Sequence, residues 1–399
     1  MAEQGALYDY QFGFRKAHST NLALTIITDK ISEALDAGDH MVRVFLDFSK
    51  AFDTINHNIL LQKLERYGIV DTPHNWITSY LTNRSQYVNY NQTNSNYLSI
   101  TCGVPQGSIL GPLFFLFYIN DMIHTSKKLF YILFADDSNA FFSGKRLEDI
   151  FTTINQELST LTNWLLANRL TINIKKTHYI IFTTAKVGPV FDQDIIINNQ
   201  VVTRVADTRF LGVIIDEHLN YHKHITHIKS KVAKGVGIIC RAKKFLNIKT
   251  IQDLYYSFIH PYLNYCIEIW GSTYTTYLEP LVLLQKRAVR IIVGAARLAH
   301  TDGIFKMLNI LPLRKLHTYN IHLFLHKVVN RTTPTVISNM FTYNSDIHSY
   351  FTRQSSQLHV YKVLSEPRKR SIRHQAIIIY NCNDDSTVYQ QLYVAYKNI

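Results

Sequence analysis

Three aspartates stand where carboxylates could do chemistry together. Asp47 closes an apolar, β-branched run (VFLDF), and Asp136 and Asp137 stand in tandem (FADD) between two further apolar runs, Leu129 to Phe134 and Ala140 to Phe142. A lone Asp-Asp pair is usually a turn or a helix cap. One acid at a strand end and two at a hairpin tip are different, because a sheet can bring all three to one spot. Clustered carboxylates are costly unless a cation neutralises them. Oxygen-only ligands suit a hard ion such as Mg²⁺, which keeps waters and binds phosphate oxygens. The other metal-like pattern, His222, His224 and His227, fits neither face of a helix or strand and has no accompanying cysteine, so it is not expected to bind metal.

The elements that must position these acids follow from the hydrophobic pattern. Residues 20–37 place Leu22, Leu24, Ile27, Ile31 and Leu35 at helical spacing, and Gly38 stands past the end. HMVRVFLDF then reads as a strand delivering Asp47. It is followed by a turn and by a helix striped with Leu60, Leu61, Leu64 and Tyr67. A buried helix is expected from Pro112 through Met122. Beyond it lies a hairpin whose tip holds Asp136, Asp137, Ser138 and Asn139, then a long amphipathic helix carrying Leu147 to Trp164. Short strands complete the order up to Asp216, one pair turning at Asn198-Asn199. Interleaved strands and helices predict an α+β fold.

Composition narrows the partner. The chain has 399 residues with 42 Lys+Arg against 29 Asp+Glu, a formal net charge of +13. That surplus favours an anionic partner, and nucleic acid fits it. The surplus concentrates late: Lys223 to Lys249 carries eight cations and no acid over a helical apolar stripe. Lys286, Arg287, Arg290 and Arg297 repeat the theme, and RKRSIR at 368–373 makes a third basic cluster; each could equally be a solvated helix face. The N-terminal residues lack a signal-peptide pattern, and LFFLFYI is far shorter than the roughly 20 residues of a membrane span, so no membrane association is expected. Four dispersed cysteines without a C-x-x-C pair suggest a reducing, intracellular setting.

In the order FLDFSKAFD, GVPQGSILGP, FADD, NIKKT and RFLG, these segments resemble the motifs of a reverse transcriptase, in the wording of non-LTR (LINE-type), jockey-like retrotransposons. The resemblance covers about residues 11 to 216, and more loosely the region to about 330. It implies a right-hand polymerase: a fingers and antiparallel-strand palm domain over 1–216 with incomplete N-terminal fingers, a basic helical thumb and downstream region over 217–330, and a C-terminal helical extension over 331–399 of unknown role. The implied activity is RNA-directed DNA synthesis, with an RNA template, a DNA primer and dNTPs as partners and two Mg²⁺ ions (or Mn²⁺) as cofactor. An intracellular place, in the nucleus or a cytoplasmic ribonucleoprotein, goes with it. The rival reading is a decayed or domesticated fragment that only binds nucleic acid.

The resemblance also assigns roles. Asp47, Asp136 and Asp137 become metal ligands and catalytic acids, and Lys176 a charge stabiliser or proton donor at the leaving pyrophosphate, with Lys175 one residue away. Arg15, Phe48, Phe52, Gln106 and Gly107 fall at the dNTP site, Phe52 as the ring that excludes a 2′-hydroxyl. Phe210, Leu211 and Gly212 look like the primer grip. Lys229, Lys231, Lys234, Arg241, Lys243 and Lys244 would follow the nucleic-acid backbone. Asp53 and His57, at i, i+4 spacing, are expected to cap or orient rather than to catalyse.

Overall fold

A computed structural model of the chain describes residues 5–184, 193–347, 350 and 354–382. Its contacts divide into two compact units. The first takes Met1–Ser19 and Asp39–Val205, and the second takes Thr20–Gly38 and Ala206–Ile399. These are not the sequence blocks 1–216, 217–330 and 331–399. The helix preceding the Asp47 strand belongs with the C-terminal half, because its buried face packs on helices of that half.

The first unit is built on a five-stranded sheet. In chain order the strands are β1 (His40–Leu46), β2 (Phe130–Phe134), β3 (Asp137–Gly144), β4 (His178–Phe182) and β5 (Thr203–Arg204). Their spatial order is β5-β4-β1-β3-β2. The Asp47 strand is thus central, paired antiparallel with β3 on one side and β4 on the other. The period-2 alternation of β1 turns Val42, Val44 and Leu46 into a core with Phe115, Ile150, Phe151, Ile154 and Leu158. Those partners come from helices Leu110–Ile119 and Leu147–Ala167.

Two boundaries differ from expectation. The buried helix runs Leu110–Ile119 and continues as a 3₁₀ turn over Asn120–Thr125. Pro112 lies inside its first turn, where no backbone N–H partner is lost. The acidic hairpin is tighter than a four-residue tip. Phe134 pairs with Asp137, so only Ala135 and Asp136 form the turn, while Ser138 and Asn139 are buried strand residues. The Asn198-Asn199 turn is as expected, with both residues at positive φ between Ile196–Ile197 and Gln200–Val201.

The second unit is mostly helical. A hairpin of β6 (Asp207–Phe210) and β7 (Val213–Asp216) precedes helices His222–Ala242, Ile248–Phe258, Thr275–Val293 and Leu313–Val329, and later Glu366–Lys369 and Ile372–Cys382. Thr20–Asp36 packs against the helices Ile267–Trp270, Glu366–Lys369 and Ile372–Cys382. Residues 366–382 are therefore part of this unit's packed structure. No helix among the described residues is long and apolar enough to cross a membrane.

Candidate active site

Strand register brings the acids together. The β1/β3 ladder ends at Leu46↔Ser138. One step further the chain reaches Asp47 on one side and Asp137 on the other, with Asp136 in the turn beyond. Asp47 is half-buried, and Asp136 and Asp137 are exposed. Protein around the two exposed carboxylates still displaces part of their hydration. That partial burial raises Asp136, with Asp47 adding to it. It also pushes Asp137 up to about 6, helped by the charges of Asp136 and Asp47 and opposed by Arg43.

Two unanticipated residues shape this spot. Arg43, on β1, is fully buried and donates through Nε and Nη2 to Asn139 Oδ1 at 3.2 and 2.8 Å, with the Phe45 ring 3.9 Å from its guanidinium carbon. It places a fixed positive charge under the acids. Gln11 is also buried. Its Oε1 accepts from Gly13 N–H at 2.9 Å and Ala135 N–H at 3.0 Å. The N-terminal segment thereby braces the Ala135-Asp136 turn, and the fit is tight, since a Cβ on Gly13 would lie 2.4 Å from Ala135 N. In sequence, a glutamine in QFGF looks like a surface residue. Only its proximity to the resembling motif hinted otherwise.

The Lys176 turn is stitched to the same strand end. Asn173 N–H donates to Asp47 O at 2.8 Å, and Asp47 N–H donates to Thr177 Oγ1 at 3.3 Å. Lys175 and Lys176 are both exposed on this turn. Phe52 is half-buried, its ring 4.6 Å from Phe115 and edge-on to Phe14 at 6.5 Å. Gln106 and Gly107 are exposed on the loop after Gly103, and Gln106 Nε2 donates to Asp53 Oδ1 at 3.0 Å. His57 Nε2 donates to Gly103 O at 2.7 Å. Asp53 and His57 thus both hydrogen-bond to this loop, and the cap of helix His57–Arg66 is neither of them but Asn56, whose side chain accepts from Ile59 N–H.

Several expected site residues need correction. The Phe48 side chain is 6% exposed and belongs to the core, so only its backbone is available to a ligand. Arg15 is partly spent on its own segment: Nη1 donates to Tyr8 O at 2.7 Å and Gln11 O at 3.1 Å. Among the described residues, no three His, Cys, Asp or Glu side chains form a ready-made metal cage. Mg²⁺, however, is commonly held by one or two carboxylates with water and substrate phosphate completing the shell. Acids whose ionisation is opposed by one another fit such a cation.

The remaining expected residues lie in the second unit. Leu211 and Gly212, both at positive φ, form the two-residue turn between β6 and β7, and Phe210 is buried. Tyr265 Oη donates to Leu211 O at 2.7 Å, and a Cβ on Gly212 would come 2.8 Å from the Tyr265 ring, so the turn requires glycine. Lys229, Lys234, Arg241 and Lys244 are exposed along and just beyond helix His222–Ala242, and Lys231 and Lys243 are half-exposed. His224 is buried, its Nδ1 accepting from Ile214 N–H at 3.3 Å and its ring edge-on to Trp270, and His222 packs on Tyr277. His224 is thus a packing group. The arginines of RKRSIR are engaged within the chain, while Lys369 stays exposed. Arg368 is buried in a 2.5 Å ion pair with Asp29, Arg373 reaches the same carboxylate at 3.5 Å, and Arg370 lies on the Tyr274 ring.

A strand-end aspartate in register with a tandem pair, beside a lysine turn and a loop with two glycines, has the chemistry to hold a hard cation against phosphate oxygens. The chain belongs to the reverse transcriptase (RNA-dependent DNA polymerase) family, whose pattern it matches over residues 4–215. It is 28% identical over 303 residues to the probable RNA-directed DNA polymerase from transposon X-element of Drosophila melanogaster, covering 74% of this chain and 33% of that protein. It is 27% identical over 318 residues to the RNA-directed DNA polymerase from mobile element jockey of the same organism, covering 76% and 34%. The chain thus spans about a third of the length of these relatives. Among solved structures it resembles telomerase from Candida albicans in complex with a telomeric RNA fragment. That likeness has a TM-score of 0.42 and 12% identity, and it covers 78% of this chain and 57% of that one. Reverse transcriptases are metal-dependent polymerases, which agrees with the acidic site.

Proposed function

We propose that this chain carries the RNA-directed DNA polymerase activity of a non-LTR, jockey-like retrotransposon, extending a primer 3′-hydroxyl with dNTPs on an RNA template. The observation that carries the reading is the register of β1 and β3, which seats Asp47 beside Asp137 and the Asp136 turn within the family match. Asp47 and Asp136 are the metal-holding pair, and Asp137 adds negative field. Two Mg²⁺ ions, when bound, supply Lewis-acid stabilisation of the attacking and leaving oxygens. Lys176, on the turn hydrogen-bonded to Asp47, offers its ammonium to the leaving pyrophosphate. Phe52, backed by Phe115, presents a ring too bulky for a ribose 2′-hydroxyl.

Gln106 and Gly107 meet the incoming nucleotide. The Leu211-Gly212 turn holds the primer by its backbone, and Lys229, Lys231, Lys234, Arg241, Lys243 and Lys244 follow the duplex phosphates. The test is extension of a DNA primer on an RNA template with Mg²⁺ and dNTPs. The parental chain should extend, and Asp136→Asn should not. Extension by Asp136→Asn at the parental rate would overturn the assignment. Binding of template and primer without Mg²⁺-dependent extension by the parental chain would favour a nucleic-acid-binding fragment instead.

A further inference from the structure

We infer that Asp53 is a positioning residue that fixes the orientation of the Gln106 amide, so that the loop reaches the nucleotide already aimed. The inference rests on the proposed contact between Gln106 and the nucleotide. The loop carrying Gln106 does not stand alone; it lies strapped along residues 52–57. Val104 N–H donates to Phe52 O at 3.0 Å, Gly103 N–H donates to Ile55 O at 2.8 Å, and Cys102 bridges Asn56. His57, itself buried, donates to Gly103 O. The backbones meet so closely that a Cβ on Gly103, which also has φ +82°, would lie 2.8 Å from Asp53 O. Every one of these bonds fixes backbone. Among the described residues, the Asp53–Gln106 bond is the one that fixes the functional side chain.

Its chemistry is directional. A carboxylate only accepts, so Gln106 must turn its NH₂ toward Asp53 and leave Oε1 and the second N–H for other partners. Without Asp53 the amide is free to flip, and each flip exchanges an acceptor for a donor at the same place. Asp53 and Gln106 both line a cleft of about 600 Å³ whose wall also carries Lys50 and Arg84, a setting suited to an anionic nucleotide. Asp53 lies six residues after Asp47 and Gln106 lies 53 residues after Asp53, so the acid strand's own continuation orders the nucleotide loop.

The amide itself can be observed without turnover. In ¹⁵N-glutamine-labelled full chain, the side-chain NH₂ resonance assigned by loss in Gln106→Ala should shift in Asp53→Ala and return in Asp53→Asn, whose Oδ1 can still accept. In primer extension, Asp53→Ala should raise KM for dNTP about fivefold with kcat within about twofold. Asp53→Asn should restore KM, and adding Asp53→Ala to Gln106→Ala should raise KM no further. An unshifted resonance in Asp53→Ala, or a further rise in the double variant, would overturn the positioning role while leaving the Gln106 contact standing. A shifted resonance with parental KM in both Asp53→Ala and Gln106→Ala would overturn the Gln106 contact and the inference with it.

Discussion

Two sets of charges in this molecule look alike in sequence and do opposite work. In the first unit Asp136 and Asp137 remain exposed, raised by partial burial and by one another, with the buried Arg43 as partial compensation. In the second unit Asp29 is 4% exposed and lies between Arg368 and Arg373. Burial raises Asp29 too, but the two guanidiniums oppose that shift. The first set is electrostatically unfinished, as the proposed cation site requires. The second is finished by the chain itself, so removing a member damages the fold rather than the chemistry. A local excess of charge is therefore not a functional signal until its partners are known.

The sharpest way to break that contrast is Asp47→Asn. It should lower primer extension about 10²–10³-fold with unchanged circular dichroism and melting temperature. A large loss of stability would place Asp47 with the structural set. Next, Arg368→Ala strands the Asp29 carboxylate in the interior and should cost about 3 kcal/mol in urea unfolding, the low end for a buried pair because Arg373 remains. Joint replacement of Asp29 by Leu and Arg368 by Met should recover most of that loss.

The exposed cations should behave unlike the buried ones. Lys229→Gln with Lys234→Gln and Arg241→Gln should leave stability unchanged and flatten the slope of log affinity for a primer–template duplex against log salt by about two to three, read by fluorescence anisotropy. An unchanged slope would class them as a solvated face. The smallest effect concerns His224, pushed down to about 4 by burial, with the charges of His227 and Arg209 adding to it. The folded state then binds fewer protons than the unfolded chain between about pH 6.5 and 4. Its contribution is complete above 6.5 and is lost on acidification. Stability should fall by about 2 kcal/mol from pH 7 to 5 through this group, and His224→Phe should remove that dependence. Asp137 has the opposite sign, since its raised pKa makes the folded state less favourable as pH rises toward about 6.

Much of the site was legible because its chemistry is local. VFLDF had to be a strand with its acid at the end, and FADD had to be a turn. The resemblance of ordered motifs implies the roles proposed above for Phe52, Gln106 and the Leu211-Gly212 turn. What escaped were residues whose work depends on distant partners. Gln11 holds the Ala135 turn across 124 residues. Arg43 sits behind the acids, hidden in an apolar strand. The cluster holding Arg368 reads in sequence as either a basic contact surface or a solvated face, and only Asp29, 339 residues away, shows Arg368 to be an interior partner. The resemblance puts the Phe48 side chain at the ligand, whereas strand alternation sends it into the core.

The sequence by itself determined the order of elements, the acidic strand end and hairpin, the family, and the basic bias of the helical half, since periodicity, turn chemistry and motif order act over a few residues at a time. Tertiary structure decided three further matters: that helix Thr20–Asp36 joins the C-terminal unit, that residues 366–382 help to build that unit, and which charges are neutralised within the chain. The reason is physical. A charge's role depends on the field and the burial around it, and those are set by residues that only folding brings near.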